Sequence, residues 1–334
     1  MPLHIRRIAT FLPERVCPVA DLPELAAAGD AQRTAVLRLG VERVRDAGDL
    51  GEVPLAAGAA TAALAATGTD PAQVDVLLLV QGRAPEHLLS SEATRVQRLV
   101  GATNAVTLGV GELGCVSSSA ALAVCSGLFA ANPGWRTGLV TMGARVATAA
   151  RYRPPMTVLG DGGLAALVTS YPGGGFRLVD QILTSNGEYA DLFRIRYRDR
   201  PASRWQEECT DPHTYSFRLA LESRRRLADL NAELLARNGL RADQVRYVMQ
   251  NLSTGAFAFW QEALDVELLP VCVRNLREYG HLGSADVLLN LAGAAPALRA
   301  GEKVLVMNSS PVAAWSSALF EYLPDDERKE GTPR

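Results

Sequence analysis

One cysteine in this chain stands where a nucleophile would be useful. Cys115 follows the apolar run Val106 to Val110 and the turn Gly111-Glu112-Leu113-Gly114, and it opens the small-residue run Val116-Ser117-Ser118-Ser119-Ala120-Ala121-Leu122. Such a run closes into a tightly packed helix, which sets the thiol at a helix N-terminus. There the unpaired backbone N–H groups and the positive end of the helix dipole favour thiolate over thiol, the form a nucleophilic cysteine requires. The other four cysteines, Cys17, Cys125, Cys209 and Cys272, are widely spaced and contain no C-x-x-C pair. Neither a disulfide framework nor a zinc site is encoded, and a reducing compartment is expected.

The chain has only four histidines. His281 follows Gly280, and Asp286 stands five residues on, where a helix-like segment opens. Taken locally, these are a histidine after a glycine turn and a first-turn acid favoured by the helix dipole. His4 is expected at a surface strand edge and His213 in a loop. Gly160-Asp161-Gly162-Gly163 lacks the Lys-Ser/Thr of a phosphate-binding loop. Its small residues instead allow close packing, with Asp161 expected to tie backbone amides together.

These residues need elements to hold them. Strand-like runs at Val74 to Val80, Ala105 to Val110, Thr137 to Met142 and Ala165 to Thr169 alternate with helix-like runs, and the pattern recurs with a helix at Tyr215 to Asn238 and strands at Val245 to Gln250 and Lys303 to Met307. This alternation predicts an α/β fold with helices on both faces of the sheet. The segments ending in DPAQVDVLLLV and RADQVRYVMQ resemble one another as helix, polar linker and strand, which points to a duplication. The turn-rich Tyr171-Pro172-Gly173-Gly174-Gly175 marks the expected boundary, with halves 1–172 and 173–334.

Composition narrows the function. The chain has 334 residues, is 48% hydrophobic, and carries 34 Lys and Arg against 36 Asp and Glu, so it is globular and has no broad nucleic-acid footprint. The uncharged stretch Leu113 to Trp135 is long enough to span a bilayer, but its serines, glycines and Asn-Pro favour a buried helix over a membrane segment. No secretory signal is visible at the start, so a cytoplasmic location is expected.

Several separated motifs then agree with one family. Arg38-Leu-Gly-Val-Glu-Arg43 is similar to an R-T-G-I-x-x-R motif, Pro85-Glu-His-Leu-Leu-Ser-Ser to an acyl-pocket segment, Thr157-Val-Leu-Gly-Asp-Gly-Gly-Leu-Ala165 to L-F-G-D-G-A-G-A, and Ser185-Asn-Gly-Glu-Tyr-Ala-Asp-Leu192 to S-D-G-x-Y-G-x-L. Over nearly its whole length the chain resembles the ketoacyl-ACP synthase III branch of the thiolase-like superfamily. That resemblance implies a duplicated α-β-α-β-α layered fold with mixed five-stranded sheets and buried central helices. It also implies a homodimer, Cys115 as nucleophile in the first half, and His87, Leu88 and Leu89 at a dimer-facing acyl pocket.

The departures from the family carry more information. Condensing members use a His in P-H-Q-A-N and an Asn in G-N-T-S to decarboxylate a malonyl thioester; here Gln250 and His281 occupy those two positions. Glutamine takes no proton at neutral pH. Cys115, His281 and Asp286 instead supply a Cys-His-Asp inventory, with the general base in the second half. This resembles the acyltransferase offshoots of the family in natural-product pathways, including polyketide and antibiotic assembly. The implied reaction moves an acyl or aryl group from an acyl-carrier-protein thioester to a hydroxyl, an amine or a second carrier's thiol. The alternatives are a condensing enzyme and a non-catalytic carrier-binding subunit; the kept cysteine argues against the latter.

The family's second oxyanion donor comes from a C-terminal G-G-G-F-x-W-G-S loop, which here reads Ser309-Ser310-Pro311-Val312-Ala313-Ala314-Trp315-Ser316-Ser317. Proline has no N–H to offer. The remaining candidates are Ser310 or Val312 and the amides of Gln250 and Asn251. Thr34 replaces the tryptophan that stacks coenzyme A's adenine, whereas Arg38 and Arg153 keep cationic positions. This favours phosphopantetheine on a carrier protein over free coenzyme A, with no bound cofactor and no metal.

Overall fold

A computed structural model describes residues 3–81, 85–87 and 89–324. The first half supplies five strands of one large sheet: β1 (Leu3–Phe11), β2 (Val76–Val80), β3 (Val106–Val110), β4 (Thr137–Ala144) and β5 (Gly162–Thr169). The second supplies β6 (Gly175–Ser185), β7 (Val245–Met249), β8 (Lys303–Ser310) and β9 (Ala314–Leu323). The nine-stranded order is β7-β8-β9-β6-β1-β5-β4-β2-β3. The halves' strands join where β1 meets β6 over three residue pairs, Leu3 with Leu178, His4 with Arg177 and Ile5 with Phe176.

The two sets of strands follow one plan. In the first, β1 runs antiparallel to β5, β5 antiparallel to β4, and β4, β2 and β3 are parallel. In the second, β6 runs antiparallel to β9, β9 antiparallel to β8, and β8 parallel to β7. The counterpart of β3 has shrunk to a single parallel bridge between Leu268 and Tyr247, with Leu269 donating to the Tyr247 carbonyl. Pro270 follows at once and has no N–H to extend a ladder. The expected pair of five-stranded sheets is therefore a single nine-stranded sheet built from a set of five strands and a set of four.

Helices cover the strands in layers. α1 (Glu52–Thr67), buried through its alanines, packs on β1, β4 and β5 with α2 (Glu92–Val100) against it. α3 (Ser117–Ala131) touches β2, β3 and β4 but also β6; α7 (Asp286–Ala294) touches β7, β8 and also β1. These two are the buried central layer. α4 (Ala220–Arg237) covers β9, with α5 (Thr254–Leu264) beside it, and α6 (Val271–Tyr279) leads into the turn before α7. β2 reads Val-Leu-Leu-Leu-Val because both its faces are covered.

Three strands were not read from the sequence. β1 carries Arg6 and Arg7 in its middle, β6 follows a glycine run, and β9 begins within the segment expected to be a loop and runs on to Leu323. That loop is only a tight turn at Pro311 to Ala313, from which the chain returns directly as β9. His4 is likewise not on a surface edge: it lies buried in β1, with strands paired on both sides. His213 lies at the start of a helical turn and stacks on Phe217 at 4.9 Å between centroids. Among the described residues one helical stretch, Gly114–Ala131, is long and apolar enough to cross a membrane, and half of it is buried inside the fold.

Candidate active site

Cys115 lies in a 3-10 turn, Gly114–Val116, that runs straight into α3. Gly114 has φ +56°, and a Cβ there would stand 2.2 Å from Ser310 Oγ, so the turn can press against the β8–β9 connection only because glycine is present. The turn is pinned on two more sides. Asn308 of β8 donates to the Cys115 carbonyl at 2.8 Å, and Ser284 Oγ donates to the Gly114 carbonyl at 3.0 Å.

His281 reaches Cys115 from the turn between α6 and α7. Gly280, at φ +64°, reverses the chain after α6, and the His281 N–H then donates to the Val158 carbonyl at 2.9 Å while its own carbonyl accepts from Gly160 at 3.2 Å. The glycine-rich segment thus stitches the histidine's backbone to the first half. Asp161 does tie amides together, accepting from Ala47 and Val146 N–H at 2.9 Å each and from Arg151 at 2.8 Å.

The three side chains meet in line. Cys115 Sγ is 3.4 Å from His281 Nε2, and His281 Nδ1 is 2.6 Å from Asp286 Oδ2. His281 and Asp286 are wholly buried. The Asp286 carboxylate also accepts from the N–H groups of Asn251 and Leu282, at 2.8 Å each. With three donors aimed at it, the carboxylate is held as an acceptor, which makes His281 Nδ1 the N–H and turns Nε2 toward sulfur.

Electrostatics follow from this line. Burial disfavours the Cys115 thiolate, but the His281 charge and hydrogen bond, helped by Arg153, outweigh it and bring the thiol below its ordinary range. Burial likewise opposes the charged imidazole, and the Asp286 charge, the Cys115 charge and the hydrogen bonds to both raise His281 well above its ordinary value. Both shifts favour the thiolate and imidazolium form of the pair over the neutral one. Cys125 and Cys272 lack such partners, and burial pushes each up to about 12.

Cys115 and His281 stand in the wall of a cavity of 560 Å³. A hairpin of Phe193–Ile195 paired with Glu207–Cys209 forms another wall, to which Phe193, Tyr197 and Trp205 bring aromatic surface. Arg153 also faces the cavity, held by an ion pair with Glu207 and lying 5.6 Å over the Phe193 ring. A volume of this size suits a small acyl or aryl group with part of its carrier arm.

The other expected site residues separate into those at the cavity and those away from it. Ser310 lines it; its Oγ accepts from Val312 N–H at 3.3 Å. Gln250 is buried and its amide is committed to Ser309, donating to Oγ at 2.6 Å and to the carbonyl at 3.2 Å. The Asn251 amide donates to the Gly280 carbonyl and accepts from Asn290. Neither amide lines the cavity, because both serve the backbone beneath it. Arg38 is exposed at the end of the Asp30–Leu37 helix, away from the cavity. His87 and Leu89 are exposed in the single chain, and Leu88 lies outside the described residues. Asn308, Ser284 and Asn290 were missed, although an asparagine in the apolar runs of β8 and α7 is a polar break that signals a buried partner.

Over 334 residues the chain is 26% identical to the β-ketoacyl-[acyl-carrier-protein] synthase III of Nitratidesulfovibrio vulgaris, across 96% of this chain and 97% of that one. With the protein of the same description from Roseiflexus castenholzii it shares 27%, across 93% and 95%. The chain is ketoacyl-ACP synthase III-like. No protein-family profile matches it. Among solved structures, this synthase III-like chain overlays on the acyltransferase ChlB3 with a TM-score of 0.83 at 20% identity, covering 97% of this chain and 99% of that one. On FabH of Pseudomonas aeruginosa PAO1 the TM-score is 0.78 at 22% identity, with the same coverage, and on AbyA1, a tetronic acid condensing enzyme, it is 0.76 at 24%, covering 96% and 99%. The fold of the synthase III-like chain is thus the thiolase-like one.

Proposed function

We propose that this protein is an acyltransferase that carries an acyl or aryl group as a Cys115 thioester, from a carrier-protein thioester to a hydroxyl, amine or thiol acceptor. The observation that carries the reading is the unbroken line from Cys115 Sγ through His281, 3.4 Å away, to Asp286, 2.6 Å further on, at the wall of a cavity. In the first half-reaction the Cys115 thiolate attacks the thioester carbonyl. The carrier's sulfur leaves with the proton of the His281 imidazolium, and acyl-Cys115 and a neutral imidazole remain. In the second, His281 takes the acceptor's proton as it attacks, the Cys115 thiolate is expelled, and the starting ion pair returns. No carbon dioxide is released. Decarboxylation has no second imidazole to assist it, since Gln250 is bound to Ser309.

A carrier protein is the partner this reading requires. The cavity hairpin carries Arg194, Arg196, Arg198, Arg200 and Arg204 in a chain of net charge −2, and three of them share the single carboxylate of Glu208. This local excess of positive charge beside the cavity suits an acidic carrier domain. The substrate arrives on phosphopantetheine, and the protein's own chemistry uses no cofactor. A homodimer is part of the same reading: β3 ends the sheet with Val106 and Leu108 exposed, an open strand edge that a second copy would cover.

Intact-protein mass spectrometry tests the function. Wild type, Cys115→Ala and His281→Ala are mixed with acyl-, aryl- and malonyl-carrier-protein thioesters. Wild type and, more slowly, His281→Ala are expected to gain an acyl mass, and Cys115→Ala none. Failure of every thioester to load the wild type would overturn the transferase reading, and loading followed by release of carbon dioxide from the malonyl form would replace it with condensation.

A further inference from the structure

Three asparagines lie buried behind the Asp286 carboxylate: Asn251 after β7, Asn275 on α6 and Asn290 on α7. Asn290 stands one helical turn beyond Asp286 and uses its amide fully. Its Nδ2 donates to the Met249 carbonyl at 2.6 Å and to Asn251 Oδ1 at 2.8 Å, and its Oδ1 accepts from Asn275 Nδ2 at 2.8 Å. Asn251 then touches both ends of the His-Asp pair. Its backbone N–H donates to Asp286 Oδ2 at 2.8 Å, and its side-chain amide donates to the carbonyl of Gly280, the residue before His281.

We propose that Asn290, braced by Asn275 and acting through Asn251, is a positioning residue for the Cys115–His281–Asp286 line. The inference rests on the ion-pair reading of that line. Packing alone gives no reason for an amide here: α7 reads Asp-Val-Leu-Leu-Asn-Leu-Ala-Gly-Ala, and a leucine would fill the space without burying the two polar atoms of a side-chain amide. What the amides supply is direction. They fix the Asn251 peptide plane, whose N–H holds Asp286 Oδ2 at the angle from which the same oxygen accepts from His281 Nδ1. A tilt of that carboxylate moves Nε2 away from sulfur, and such misplacement is costly to a reacting pair. The charged groups acting on the pair are Asp286 and Arg153, and neither is altered by substitution at 290.

The experiment reads the Cys115 thiolate directly, as the rate of iodoacetamide alkylation of Cys115 against pH, followed by peptide mass. Asn290→Leu and Asn275→Leu are compared with Asn231→Leu, which removes a buried asparagine bonded to Ser317 and Met307, away from the site. The expected result is a roughly tenfold slower alkylation near neutral pH, with the profile displaced upward, for Asn290→Leu. Asn275→Leu shifts it in the same direction by less, and Asn231→Leu keeps the wild-type profile whatever its loss of Tm. A wild-type profile for both Asn290→Leu and Asn275→Leu would overturn the proposal. His281→Ala separates this from failure of the underlying reading: if that variant alkylates as wild type, there is no ion pair to position, and the proposal falls with it.

Discussion

At the scale of single residues, the geometry favours the thiolate at Cys115 and disfavours it at the two other buried cysteines. Cys115 is lowered by His281 and Arg153, whereas Cys125 and Cys272, equally buried, are pushed up to about 12. A low ratio of iodoacetamide to protein at pH 6 to 7 should therefore modify Cys115 and spare those two. The sign of the pH dependence follows from the same groups. Reactivity should fall as pH drops through the lowered thiol value, at a lower pH than for a free cysteine, and the raised His281 keeps the proton that supports the thiolate there. Asp286→Asn keeps the shape of the line but not its charge, and an amide can turn its N–H toward His281. We expect Cys115 to load still, with transfer to the acceptor slowed by roughly 10²- to 10⁴-fold in single-turnover kinetics. Equal losses in both half-reactions would show Asp286 to be a fold-stabilising acid only.

At the scale of elements, the turn before α7 places the base. Gly280 lies at φ +64°, ψ −143°, and a Cβ there would meet the Val158 carbonyl at 2.5 Å. Gly280→Ala should cost about 1–3 kcal/mol of stability and displace His281, readable as a lower Tm together with slower Cys115 alkylation. The cavity hairpin governs a different quantity. Reversing Arg196, Arg198 and Arg200 to Glu should raise the KM for a carrier-bound donor and leave turnover of a short pantetheine thioester unchanged; an equal effect on both donors would remove the hairpin from carrier recognition.

Most helices and the parallel strands of this fold were legible because their apolar runs are plain, and Cys115 because a small-residue helix begins at it; α6 and the short helix Asp30–Leu37 were not read. The partnership of Cys115 with His281 was legible only through family position, since 166 residues separate them. β9 was not legible: Ala-Trp-Ser-Ser-Ala-Leu-Phe mixes small polar residues with apolar ones, and all seven are buried against neighbouring layers rather than alternating in and out. The network joining Asn251, Asn275 and Asn290 was not legible for a similar reason, because its members come from separate segments, after β7, on α6 and on α7, and no one segment names the partners.

For the whole molecule, the open edge at β3 makes the oligomeric state measurable. Light scattering on the purified protein should give twice the 35.7 kDa of one chain, and Val106→Lys with Leu108→Lys should return it toward that single mass. A wild type already at the single-chain mass would refute the dimer.

The two central helices carry one more consequence. Cys115 precedes α3 and Asp286 begins α7, so the thiolate and the carboxylate each sit at the positive end of a helix, with one imidazolium between them. In the proposed reaction the starting thiolate, imidazolium and carboxylate together bear a net single negative charge, against about half a positive charge from each helix. After loading, the sulfur is neutral, the imidazole is neutral and the carboxylate keeps its charge, so the sum is unchanged. A site working by the proposed reaction would complete its cycle at constant charge: protons would arrive and depart on the substrates themselves, and no ion would have to cross the protein to balance either half.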